Sequence, residues 1–167
     1  MKYRIKKAGH YAWPLLLRLH TGKVEQAFTV KFSPGCTLHP NTEDDWCKLF
    51  GWSYGYHMNN SIRVGWRPTP GPAETVDLAL FKHEAGEFSS GLTWLTVPAG
   101  TEVRGKMWLD GRGDFCLELS CGEQYLLTHI HGFEDARTYG RWGYFLKPYY
   151  GGDAPAPAEC IIELILS

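Results

Sequence analysis

The chain has 167 residues and a formal net charge of -1, so it is read as one domain over 1–167, with no electrostatic case for nucleic acid or an anionic membrane. Hydrophobic residues at 44% and charged residues at 21% fit a globular protein, and 19 Gly with 10 Pro predict many turns and exclude an architecture of long helices.

The start is basic, but the apolar run Trp13 to Leu17 is short, is broken by Pro14 and is followed by Arg18 and His20. This excludes a membrane span and argues against a signal peptide. Cys36, Cys47, Cys116, Cys121 and Cys160 are odd in number and lack a CxxC spacing. Reduced thiols and synthesis in the cytoplasm without a leader are expected.

Alternating apolar and polar residues, bounded by Gly, Pro, Asn or Asp, predict antiparallel strands. They run over Tyr3 to Lys6, Leu15 to Leu19, Gln26 to Phe32, Ile62 to Arg67, Thr75 to Lys82, Gly91 to Val97, Val103 to Leu109, Phe115 to Ser120, Gln124 to Ile130, Trp142 to Tyr149 and Cys160 to Leu166. Phe28, Val30 and Phe32 alternate with Thr29 and Lys31, which gives that strand one dry face and one wet one. The last strand is apolar on both faces, which predicts a central or covered position. One short helix is expected near 42–49, because Asn41 or Thr42 can cap it and Glu43, Asp44 and Asp45 suit the positive end of its dipole. Trp46, Leu49 and Phe50 would then share one side. So many strands cannot form one flat sheet, and the expected fold is all-β, a two-sheet antiparallel β-sandwich of the jelly-roll type.

Aromatic and basic residues concentrate in Lys48 to Pro68 and in Arg141 to Asp153. These stretches, with the Ala-Pro that follows the second, resemble the hallmark segments of a group of small β-sandwich proteins associated with gut Bacteroidetes and their phages. The matching segments are Trp46 to His57, Asn60 to Arg67 and Trp142 to Pro155. The sequence departs from that pattern at Asp153, where the group has Asn, and after Pro155, where no His-Asp follows. The resemblance implies a concanavalin A-like sandwich, a scaffold shared by lectins, glucanases and polysaccharide lyases, and so implies fold more than activity.

Trp52, Tyr54 and Tyr56 are spaced two apart and precede His57, a pattern that suits ring stacking on a sugar face as well as closure of a sandwich end. Arg63 and Arg67 fall on one face of their strand, opposite Ile62, Val64 and Trp66, where they can clamp a carboxylate or phosphate. Lys147 and Tyr149 offer a similar pair from the late stretch. The expected ligand-binding residues are therefore Trp52, Tyr54, His57, Arg63, Arg67, Lys147 and Tyr149. A lyase would draw on Tyr56 or Tyr150, His57, Asn60 and Arg63, since β-elimination of a sugar acid needs a base and a neutraliser for the substrate carboxylate. Glu84 and Glu87 read as part of a hairpin loop and make no glycosidase pair.

His129 and His131 share a strand face near Glu134 and Asp135, acceptable as one edge of a metal site but also ordinary for a solvated strand end. Arg112-Gly113-Asp114 after Asp110-Gly111 reads as a tight turn. No phosphate-binding glycine loop, nucleophile elbow or zinc-helix motif is present, so no catalytic residue, cofactor or metal is assigned. The first expectation is a noncatalytic module that recognises a glycan or protein surface, of the kind a phage virion carries as an accessory protein, able to form a homo-oligomer or larger assembly. The alternative is a polysaccharide-active enzyme with lyase-like β-elimination.

Overall fold

The computed structural model describes residues 1–14, 18–38, 46–69, 73–91, 93–151 and 154–167. Its strands are β1 (Lys2–Ile5), β2 (Ala12–Trp13), β3 (Leu19–Thr21), β4 (Glu25–Phe32), β5 (Cys47–Ser53), β6 (Asn60–Pro68) and β7 (Thr75–Glu84) in the first half. β8 (Glu87–Ser90), β9 (Leu95–Pro98), β10 (Val103–Leu109), β11 (Asp114–Cys121), β12 (Gln124–His131), β13 (Trp142–Leu146) and β14 (Cys160–Leu166) follow. Two 3-10 turns, Pro34–Thr37 and Ala136–Gly140, are the only helical elements among the described residues. No described helix is long and apolar enough to cross a membrane.

The strands form two antiparallel sheets. One runs β12-β11-β10-β4-β14-β1-β2, the other β3-β13-β5-β6-β7-β8 with β9 also on β7, so the chain is the two-sheet β-sandwich expected from its alternation. Phe28, Val30 and Phe32 point inward from the first sheet, and Ile62, Val64 and Trp66 from the second, all at most 2% exposed. Rings mesh between the layers: Phe28 lies 4.6 Å from Phe50, Phe32 5.3 Å from Trp66, and Trp52 6.4 Å from Phe115. Burying such side chains contributes about 1.5–3 kcal/mol each and holds the sheets together.

The helix expected near 42–49 does not extend over its described part. Residues 42–45 lie outside the described residues, while Cys47, Lys48 and Leu49 open β5. The helical reading came from the capping residues Asn41 or Thr42 and the acidic run Glu43 to Asp45, with Trp46, Leu49 and Phe50 then sharing one side. A register shift between Lys48 and Phe50 buries Leu49 and Phe50 side by side, which breaks the alternation of a regular strand. Of the segment expected over Leu15 to Leu19, residues 15–17 also lie outside the described residues, and the strand there is Leu19–Thr21.

Other local readings match the structure. The backbone N–H groups of Arg112 and Asp114 donate to the Asp110 carboxylate at 2.8 and 2.9 Å, making the tight turn between β10 and β11. β14 is central, between β4 and β1, although Ile165 on its outer face is 60% exposed. All five cysteines are free thiols.

Candidate functional site

The two aromatic stretches, far apart in sequence, are neighbours in the second sheet. β13 pairs with β5, Phe145 opposite Trp52 and Leu146 opposite Gly51. Beyond the end of β13, Lys48 and Tyr149 exchange both backbone hydrogen bonds at 2.8 Å. At the other end the Gly55 N–H donates to the Trp142 carbonyl at 2.8 Å. Between these ties a cleft of about 380 Å3 opens on the face turned away from the core, lined by Lys48, His57, Arg63, Tyr144, Lys147 and Tyr149 among others.

Alternation explains which side chains reach it. On β6, Ile62, Val64 and Trp66 take the core side and leave Ser61, Arg63, Gly65 and Arg67 on the outer face. On β13, Phe145 is on the core side with Trp52, so Tyr144 faces outward. The hairpin joining β5 to β6 then folds His57 over the sheet. His57 Nδ1 and Tyr144 Oη share a 2.5 Å hydrogen bond on the cleft wall.

Arg63 forms the floor and is 1% exposed. Its Nε donates to Ser61 Oγ at 3.1 Å and its Nη2 donates to the His57 carbonyl at 3.1 Å. Ser61 Oγ in turn donates to that same carbonyl at 2.6 Å. Among the described residues the hydrogen-bond partners of Arg63 are a hydroxyl and a carbonyl, with no carboxylate paired to it. A buried cation without a counter-ion is costly, a cost that an anion in the cleft would offset. Burial pulls the guanidinium pKa down, to about 10, which leaves it charged near neutrality.

This cation sets its neighbours. Burial first, then the charges of Arg63 and Lys48, hold the His57 imidazole below the ordinary histidine range. His57 is therefore neutral at pH 7, and one ring nitrogen can accept a proton. His83, on β7 beside Ser61, is pushed down to about 4 by burial and by Arg63, Lys48 and His57. Its Nδ1 is buried without a hydrogen-bond partner. The cleft lining holds three cationic side chains, Lys48, Arg63 and Lys147, and no carboxylate among the described residues. That composition suits a polyanion and lacks the pair of carboxyl groups a glycosidase needs.

Of the residues expected to bind ligand, His57, Arg63, Lys147 and Tyr149 meet in this cleft. Trp52 and Tyr54 do not. Both are 0% exposed in the inter-sheet core, where Trp52 Nε1 donates to Tyr54 Oη at 2.9 Å and Tyr54 Oη donates to the Lys23 carbonyl. Their spacing of two kept them on one face, and that face is the core. Arg67 lies on the cleft's sheet face but two pleats away, ion-paired to Asp77 at 3.2 Å.

The set named for a lyase divides similarly. Tyr150 is buried against Trp66, with its hydroxyl donating to the Leu38 carbonyl at 2.8 Å. Tyr56 is 62% exposed on the turn, and Asn60 faces a separate depression with Glu84 and Arg141. The tyrosine that lines the cleft beside His57 is Tyr144, which the sequence reading did not name. It was missed although its alternation with Phe145 is legible, because its partner His57 is supplied by another strand pair. Lys48 was missed because it fell in the expected helix. His129 and His131 are exposed on β12, where His131 Nδ1 lies 2.9 Å from Asp114 Oδ1. No cluster of three or more metal-ligating side chains occurs among the described residues.

No family model matches the chain, and no curated protein does. Solved structures do. An alginate lyase variant in complex with an alginate trisaccharide superposes with a TM-score of 0.61 at 12% identity, covering 99% of this chain and 80% of that one. A variant of the same enzyme with an alginate tetrasaccharide gives a TM-score of 0.59 at 12% identity, over 99% and 79% of the two chains. An alginate lyase from a Chlorella virus gives 0.58 at 11% identity, over 99% and 81%. At these identities the likeness is one of fold, and this chain has the β-sandwich fold of those lyases.

Proposed function

We propose that the protein is a polysaccharide lyase that cleaves a uronate-containing glycan by β-elimination in the cleft between β6 and β13. The observation that carries this reading is the 2.5 Å hydrogen bond between His57 Nδ1 and Tyr144 Oη beside the buried, carboxylate-free Arg63. β-Elimination next to a sugar carboxylate needs three things: the carboxylate neutralised, the proton on the adjoining carbon removed, and the departing glycosidic oxygen protonated.

Arg63 supplies the first, because a fixed guanidinium in a buried site stabilises the charge that develops on the carboxylate as the carbon acidifies. The Tyr144 and His57 pair supplies the proton transfers. Neutral His57 can draw the phenolic proton, leaving an oxygen able to take the carbon-bound proton, and the pair can return a proton to the leaving oxygen. The bond from carbon to the glycosidic oxygen breaks as the carbon–carbon double bond forms, and the chain separates without water entering the products. Lys48 and Lys147 add positive potential along the polymer. The fold of the alginate lyases supports this reading over the noncatalytic module expected first, while a glycan partner is common to both.

Incubating the protein with alginate, polyglucuronate and hyaluronan, and following ultraviolet absorbance of the unsaturated product, tests it. Absorbance growth on at least one polymer is expected. Retention on a polymer with no new absorbance on any of them would return the noncatalytic reading.

A further inference from the structure

Two pleats along β6 from Arg63, at a distance of roughly 13 Å for four extended residues, the same sheet face carries a second built feature. The Arg67 guanidinium lies between two indoles, 4.6 Å from the Trp46 ring and 5.1 Å from the Trp94 ring. Its Nε donates at 3.2 Å to Asp77, a carboxylate 1% exposed that also accepts from Thr69 Oγ1 at 2.9 Å and Thr96 Oγ1 at 2.7 Å. These contacts fix the plane of the guanidinium. They leave both of its terminal nitrogens without a hydrogen-bond partner among the described residues.

Trp94 is 48% exposed, although its only described ring contact is the cation it covers. Between the two arginines stands Gly65, opposite Lys48 in the register. A Cβ on Gly65 would come within 2.1 Å of the Phe81 ring, so the buried Phe81 ring, from the residue opposite Arg63 on β7, lies over Gly65 and fills the middle of the strip from Arg63 to Arg67. The two cations therefore stand on one sheet face with the apolar Phe81 ring between them.

We propose that Trp46, Arg67 and Trp94 form a distal subsite that grips a uronate residue of the same polymer, a few sugars away from the residue whose bond is cut. The exposed face of Trp94 would stack on the sugar's C–H face while the free Arg67 donors take its carboxylate. This rests on the lyase reading for its position but not for its chemistry.

The test compares kcat/KM on the polymer that is cut with kcat/KM on its disaccharide, which is too short to span both arginines. Trp94→Ala lowers the preference for polymer about tenfold, the loss of one stacking contact. Arg67→Lys, which keeps the charge and the Asp77 partner but loses the planar fork, lowers it in the same sense. An unchanged preference in both variants overturns the subsite, even if their melting temperatures fall, since a purely structural staple has no reason to sense chain length. If the wild-type protein cuts none of the polymers, the lyase reading fails and affinity electrophoresis in alginate-containing gels decides. Retardation weakened about tenfold by Trp94→Ala upholds the subsite, and no retardation of the wild type, or equal retardation of both, overturns it.

Discussion

His57 and Tyr144 stand 87 residues apart in sequence, yet Nδ1 of one lies 2.5 Å from Oη of the other. The contact exists because the β5–β6 hairpin and β13 are tied on both sides, through the Gly55 N–H on the Trp142 carbonyl and through Ser53 Oγ, which accepts from the Tyr144 N–H at 3.1 Å. A hydrogen bond placed on a cleft wall by that much backbone is preorganised, which is what proton transfer in a confined site requires.

Tyr144→Phe removes only the hydroxyl. Turnover on the polymer that is cut should fall by about 10²–10⁴-fold, the usual scale of a positioned acid–base group, while the melting temperature moves little because the ring stays. Retention of more than a tenth of the wild-type rate would take Tyr144 out of the chemistry.

On the proposed lyase mechanism, the protonation of His57 sets the acid limb of activity. Burial and the charges of Arg63 and Lys48 lower its pKa, so the neutral form persists below pH 6.5, the value of an unperturbed imidazole. The kcat/KM profile should therefore lose activity only on the acid side of 6.5. In Lys48→Gln one of those charges is gone, the imidazole is protonated more easily, and the limb should move to higher pH. A limb that stays in place in that variant would mean another group controls it.

Stability should carry the mark of His83. Its folded-state pKa is pushed down to about 4, against about 6.5 in the unfolded chain, so below pH 6.5 the unfolded state binds the proton that the folded state refuses. Above that window the residue contributes no pH dependence. As pH falls from about 6.5 to 4, stability is lost, and His83→Leu should flatten this part of the curve of Tm against pH. His57, shifted in the same direction, leaves a residual slope.

How much of this was legible in the chain depends on where each pattern pointed. The alternation of Ile62, Val64 and Trp66 against Arg63 and Arg67 placed both arginines on the outer face, as the structure has them. The same rule set Trp52 and Tyr54 on one face but could not say which, because both faces of β5 are buried and a spacing of two is blind to the choice. The bulge at Leu49 hid β5 altogether, and pairing between distant strands, which brings Tyr144 to His57, leaves no local trace. The placement of Trp52 has a measurable consequence. Trp52→Ala should cost roughly 3–5 kcal/mol, as for a fully buried aromatic, and lower Tm by roughly ten degrees. A variant that keeps wild-type Tm and merely binds glycan less tightly would put Trp52 back at the surface.

Gly143 offers the sharpest test of geometry, because it lies outside the chemistry and next to it. A Cβ there would come within 1.8 Å of the Ser53 carbonyl oxygen and 2.7 Å of its carbon, both backbone atoms that cannot rotate away. Gly143→Ala must push β13 off β5. The displacement falls on the neighbouring Tyr144, whose N–H is held by Ser53 Oγ, and a shift of about 1 Å in a reacting group is enough to cost on the order of 10²-fold in rate. The expected result is a large loss of turnover with a smaller loss of stability, since β5 keeps its full pairing with β6 along the other edge. Gly140→Ala is the companion control: a Cβ at that position meets nothing within 4 Å, so its rate should match the wild type. Equal losses in the two variants would show that the glycines matter for folding in general and that the close approach of β13 to β5 does not set the position of Tyr144.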